Sequence, residues 1–182
     1  SVILDSSVIW SNKLHALDVR GASYISNSVL HAFGGSNACY NLNSNSLARV
    51  IADNNCIYFS GGARPALVDN IPIEGMLQWT RTTMKDIHSL SADPLFHAPG
   101  SNDFHVRSAQ GRFDPSTRSY VTGDTGFSGL IDLGHRDWPY SLEPDPNGGR
   151  RNVGLYGNTA EASLSQTNPW LRVITASAGG LA

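Results

Sequence analysis

The chain has 182 residues, enough for one domain with a real core and too few for two comfortable ones. Charged residues make up only 15%, and the formal net charge of −2 draws nothing toward a phosphate backbone, which argues against nucleic acid as a partner. No apolar run approaches the ~20 residues of a membrane span, and 18 glycines with many Ser and Asn favour a turn-rich β protein over a helical one.

Ser1 runs straight into the strand-like Val2-Ile3-Leu4 with no signal-peptide pattern, as in a start within a fold. The first 60 residues then repeat. Asp5-Ser6-Ser7-Val8-Ile9-Trp10 recurs as Ser26-Asn27-Ser28-Val29-Leu30-His31, and again as Asp53-Asn54-Asn55-Cys56-Ile57-Tyr58. Asp5 to Ser26 is 21 residues and Ser26 to Asp53 is 27, close to one coil of a three-sided parallel β-solenoid. Further short strands are expected at 16–19, 38–42 and 47–51. They are set off by Gly21, Gly34-Gly35 and Asn43-Ser44-Asn45, which favour turns.

Alternation assigns faces to each copy. Ile9, Leu30 and Ile57 point inward with Ser7, Ser28 and Asn55, which form a polar ladder able to hydrogen-bond along the axis. Val8, Val29 and Cys56 point outward with Trp10, His31 and Tyr58, an aromatic strip. Cys39 and Cys56 have no CxxC or metal-ligand spacing; two buried thiols and a disulfide between neighbouring coils both stay open.

Residues 61–100 break the repeat. Gly61-Gly62-Ala63-Arg64-Pro65 reads as a loop, and Gly75 to Ile87 as the one short helix, with Leu77, Met84 and Ile87 on one face. Asp103 to Val106 reads as a strand with Phe104 and Val106 inside and Asp103, His105 and Arg107 on a solvated edge of the final coil. A hairpin follows around Asp114-Pro115-Ser116-Thr117. Residues 134–152 are nearly all turn, and 171–174 is one more strand, after Pro169.

Several of these stretches carry a resemblance. Asp93-Pro94-Leu95-Phe96 with Asn102-Asp103-Phe104-His105-Val106-Arg107-Ser108 resembles the "DPLF…GDFHLRS" exit segment of secreted bacterial right-handed parallel β-helix (pectate-lyase-like) proteins. Glu143-Pro144-Asp145-Pro146-Asn147-Gly148-Gly149-Arg150-Arg151-Asn152-Val153-Gly154 and Tyr156-Gly157-Asn158-Thr159-Ala160-Glu161-Ala162-Ser163 resemble their closing signature. The approach from Leu77-Gln78-Trp79 to Asp93-Pro94 is similar too. The chain departs from the pattern at Ser128 to His135, where Leu133 stands in place of a small residue. The resemblance implies a secreted or cell-surface, modular bacterial parent linked to carbohydrate. It implies no activity, because one fold hosts many.

Residues suited to chemistry are sparse. The repeated coils hold only Asp5, Lys13, Asp18, Arg20, Arg49 and Asp53 as charges. A lyase needs a base and clustered carboxylates for Ca²⁺, and a hydrolase needs carboxylates on adjacent coils. Asp5 and Asp53 stand two coils apart, about 10 Å, with Ser26 between. Gly126-Phe127-Ser128-Gly129-Leu130 lacks the second glycine of a nucleophile elbow. Asp145-Pro146-Asn147-Gly148-Gly149 offers two oxygens where Ca²⁺ takes 6–8 ligands, which reads as a structural turn.

The expected architecture is therefore all-β: a right-handed parallel β-helix fragment with one short helix and a loop-rich C-terminal cap. Coils span 1–133 with the insertion at 61–100. The cap spans 134–165, anchored by Leu155 and Tyr156, and 166–182 is a linker or the start of a following domain. No catalytic or metal residue is assigned, and no cofactor beyond the weak Ca²⁺ loop. Trp10, His31 and Tyr58 are the carbohydrate-binding candidates, since sugar C–H faces pack on aromatic rings. The alternative for that strip is cover by a loop from residues 61–90 or by another domain. The expected partners are a polysaccharide or surface glycan and the rest of a multi-domain chain. The expected function is a non-catalytic module; its alternative is the C-terminal part of a polysaccharide lyase or glycoside hydrolase with active coils upstream of Ser1.

Overall fold

Each apolar copy forms a strand, and the strands fall in rotation onto three walls. The structure, a computed structural model, describes residues 2–11 and 13–167, so the expected strand at 171–174 lies outside it. The first turn of the rotation is β1 (Val2–Asp5), β2 (Val8–Ser11) and β3 (Leu17–Val19). The second is β4 (Ser23–Ser26), β5 (Val29–Phe33) and β6 (Ala38–Leu42), and the third β7 (Val50–Asp53), β8 (Cys56–Ser60) and β9 (Arg64–Val68). They pair in parallel as β1-β4-β7, β2-β5-β8 and β3-β6-β9.

Register puts like on like. Ile9, Leu30 and Ile57 are cross-strand partners, as their spacing predicts. They pack in one core with Leu4 and Ile25 from the first wall and Leu17, Tyr40 and Ala66 from the third. Between the first and second walls the chain turns through Ser6, Asn27 and Asn54, at φ of 45°, 51° and 56°. That left-handed region is open at low cost mainly to Gly, Asn and Asp, which explains two of the three residues. The polar ladder follows each corner. Ser7 N–H donates to Ser28 Oγ (3.2 Å), Ser28 N–H to Asn55 Oδ1 (3.0 Å) and Asn55 N–H to Ser89 Oγ (2.8 Å). Buried backbone donors are thereby satisfied along the axis.

The stack differs from expectation in three places. Gly61-Gly62 form a turn as expected, but Arg64 and Pro65, read with that loop, begin the strand Arg64–Val68, which completes the third wall. Pro65 is tolerated because the ladder pairs Arg64 and Ala66 and passes over it. A four-residue helix α1 (Ser44–Leu47), capped by the Asn43 side chain on Ser46 N–H, stands where residue 47 was expected to begin a strand. The main helix α2 covers Met76–Thr83, shorter than expected, and Leu77, Met84 and Ile87 are exposed. Trp79 is its buried residue, stacked on Tyr40 at 5.2 Å. Of the two states open to the cysteines, the structure has the unbonded one: Cys39 and Cys56 are free, buried thiols.

Residues 71–90 close the far end of the stack. β10 (Ile71–Ile73) pairs antiparallel with β9. Leu90 bridges β8, donating to Asn55 O and accepting from Ile57 N–H at 2.8 Å each. Asp86 N–H donates to Ala52 O of β7 at 2.7 Å. Each wall thus gets a last partner, which hides strand edges that would otherwise recruit other chains.

The segment expected as a cap lies against one flank of the stack. A second apolar cluster covers the outer face of β2-β5-β8, joining Val29 and Cys56 to Phe96, Val106, Leu130, Ile131 and Val153. Residues 134–163 run along this flank: Gly154 N–H donates to Asn27 O (2.8 Å), and Arg151 reaches Asp5 at 3.1 Å. A wall with apolar residues on both faces needs both faces covered. Tyr156 anchors this segment by stacking on His105, whereas Leu155 is exposed.

β11 (Phe96–Ala98) and β12 (Asp103–Val106) pair antiparallel rather than adding parallel strands to the walls, and β13 (Arg112–Asp114) and β14 (Ser119–Val121) form the expected hairpin. Among the described residues no helix is long and apolar enough to cross a membrane.

Candidate functional site

The register of β2, β5 and β8 places Trp10, His31 and Tyr58 side by side. Trp10 stacks on His31 with ring centres 3.9 Å apart and planes at 21°, and His31 lies 5.0 Å from Tyr58. The predicted strip therefore exists as one continuous row of stacked rings. Its cover is partial and does not come from residues 61–90 over Trp10. Phe96 meets Trp10 edge-on at 5.4 Å, and Phe104 lies 6.3 Å away.

Trp10 and Tyr58 stay half-buried, and His31 is only 3% exposed. Along the strip runs an open groove of about 440 Å³. Phe33, Ser60, Asp93, His97, Pro99 and Arg107 complete its walls. Sequence reading missed these additions because β11 and its flanking turns fold back across a sheet far from them in the chain. Asp93-Pro94 was visible as a motif, but its neighbours were not.

Burial pushes the His31 imidazole below its ordinary pKa, with the Asp93 carboxylate pulling the other way. His31 Nδ1 is sealed from solvent without a hydrogen-bond partner. Burial, and then the Asp93 charge, raises the Tyr58 phenol. A flat, neutral, aromatic floor bordered by one carboxylate and one guanidinium can stack a ring and exchange hydrogen bonds with hydroxyls at its edge.

The other polar candidates have structural partners. Asp5, Ser26 and Asp53 align across β1, β4 and β7. Asp5 accepts from Asn27 Nδ2 (2.8 Å) and pairs with Arg151, while Asp53 is 2.6 Å from His88 Nδ1. Each carboxylate pins its own piece of loop, and the two do not converge.

Asp103 and His105 form no solvated edge: His105 is 1% exposed, 2.6 Å from Asp103 and stacked on Tyr156 at 3.6 Å. This pair clamps the closing segment, with Glu161 Oε2 at 3.6 Å from Nε2. Ser128 Oγ donates to Pro94 O (2.6 Å), a loop tie. In the 145–149 turn the Asp145 and Asn147 oxygens accept from Asn147 Nδ2 and Gly149 N–H, the signature of a self-satisfied turn. Among the described residues no group of three or more His, Cys, Asp or Glu gathers as metal ligands would.

Comparison with protein families, curated proteins and solved structures finds no match to this chain.

Proposed function

We propose that the three parallel walls are those of a right-handed parallel β-helix, and that the chain is a non-catalytic module of a secreted or cell-surface bacterial protein. Its role is to carry structure and to contact carbohydrate through Trp10, His31 and Tyr58. The observation that carries this reading is the stacked aromatic strip lying along an open groove. An aromatic row repeating at the ~4.8 Å spacing of stacked strands suits an extended polymer lying across it. The separate pairing of Asp5 with Arg151 and of Asp53 with His88 supports a non-catalytic role for these coils.

A glycan array probed with the chain tests the reading, followed by titration of any binder against the Trp10→Ala variant. Loss of a central aromatic contact costs roughly 1–3 kcal/mol of binding. Trp10 also packs against Phe96 and Phe104, so the titration is run well below the variant's melting temperature. A chain that captures no glycan, or a variant that binds unchanged, overturns the assignment.

A further inference from the structure

The groove discriminates by charge as well as by shape. The fully charged side chains that line it are one carboxylate, Asp93, and one guanidinium, Arg107, and neither takes part in an ion pair among the described residues. Their charges cancel. The imidazole between Trp10 and Tyr58 adds none: a second proton on His31 would put an N–H on the sealed Nδ1 with no acceptor to receive it. Burial also disfavours its charged form.

Asp93 sits close enough to the strip for its charge to act on both His31 and Tyr58. An anionic ring stacked there would meet the exposed Asp93 carboxylate at short range, and like charges in close contact repel even in water. A hydroxylated ring meets instead an acceptor at Asp93 and a donor at Arg107. Apart from the His97 imidazole, nothing in the lining adds positive charge beyond the Arg107 guanidinium that Asp93 offsets.

Resting on the glycan-contact reading, we propose that the groove takes neutral glycans, with Asp93 as the residue that selects hydroxylated over acidic sugar units. Asp93 accepts ring hydroxyls and excludes uronate or sulfate groups, and the aromatic strip supplies the stacking that both classes share.

The test is calorimetric titration at neutral pH with neutral oligosaccharides (gluco-, xylo- and manno-oligomers) and with oligouronates of equal length, on the chain and on Asp93→Asn. The substituted side chain retains a carbonyl oxygen in the place of Asp93 Oδ1, which accepts from Leu95 N–H at 2.8 Å, so the local turn survives. The chain should bind at least one neutral series roughly tenfold more tightly than the uronates, the ratio that one like-charge contact imposes. In Asp93→Asn the preference should narrow to near parity, through weaker neutral binding and stronger uronate binding. Uronate binding equal to or tighter than neutral binding by the unaltered chain overturns the charge selection and leaves the glycan-contact reading standing. An unchanged preference in Asp93→Asn removes Asp93 as selector. Failure of both series to bind overturns the underlying reading itself.

Discussion

The Trp79 indole N–H donates to Asp86 Oδ2 at 3.0 Å in a place where both residues are essentially sealed from water. Tyr40 OH (3.1 Å), Asn55 Nδ2 (3.0 Å) and Ser89 Oγ (2.7 Å) donate to the same carboxylate. One side chain thus joins the third wall, the polar ladder, the helix and the closing turn. Replacing Asp86 by Ala strands three buried donors and a half-buried one, Ser89, at about 1–3 kcal/mol for each that finds no water. The expected loss is about 3–5 kcal/mol in urea-induced unfolding, the range reserved for broken buried networks. A loss under ~1 kcal/mol would show that the end closure contributes little to stability.

Glu143 makes stability depend on pH. Burial raises its carboxyl from 4.5 to about 7, against the pull of two backbone donors, Asn158 N–H and Asn152 N–H. Both donate to Oε1 at 2.7 Å. A carboxyl whose folded pKa is raised binds its proton more tightly when folded. Its contribution is therefore complete below the unfolded value near 4.5 and is lost as pH rises through about 7. At ~1.4 kcal/mol per pH unit the effect is on the order of 3 kcal/mol. Asp86 is raised by burial in the same direction. Melting temperature should therefore fall from pH 5 to pH 8, and Glu143→Gln should flatten that slope. A slope untouched by the substitution would assign the pH dependence to other groups.

Much of this was written in short-range pattern. The rows Ile9/Leu30/Ile57 and Trp10/His31/Tyr58 come from alternation plus repeat, and both register as read. So does the ladder of Ser7, Ser28 and Asn55. Arg64–Val68 was hidden because Gly61-Gly62 and Pro65 are turn signals, and only tertiary pairing with β6 overrides them. The flank cover was legible in principle, since Val8, Val29 and Cys56 are as apolar as the inward row, and a wall apolar on both faces is covered on both. What lies on it was not. Arg151 meets Asp5 across 146 residues of chain, and no local pattern carries that.

Two glycines in the closing signature should tolerate no side chain. A Cβ on Gly157 would fall within the van der Waals shell of Asn152 O, and one on Gly148 within that of the Asp132 carboxylate. Beside these approaches Asn152 Nδ2 donates to Ser163 O (2.8 Å) and Gly148 N–H to Asp132 Oδ1 (3.0 Å). Gly157→Ala should destabilise by about 1–3 kcal/mol, the cost of overpacking against a backbone that cannot yield. Gly123→Ala, where nothing lies within 4 Å, is the control and should change little. Equal melting temperatures for the two variants would mean that the closing segment is looser than its packing implies.

Removing residues 134–163 tests whether the flank segment is structural. It would take away Val153, the Gly154 backbone that lies against Val29 (0% exposed) and the Gly154–Asn27 hydrogen bond. The inner core, which draws its buried residues from 19–79, would keep its own contacts. The expected product holds its far-ultraviolet β signal, binds a hydrophobic dye and associates at concentrations where the full chain does not, because an uncovered apolar wall is an association surface. The milder variant Arg151→Ala separates anchoring from cover. It loses the Asp5 pair (3.1 Å) and the Ser6 hydroxyl (3.0 Å) but leaves Val153 in place. It should lower stability by about 1–3 kcal/mol without dye binding. A deletion variant that melts like the full chain and stays dispersed would make residues 134–163 a passive strap, and the second apolar cluster unimportant to the fold.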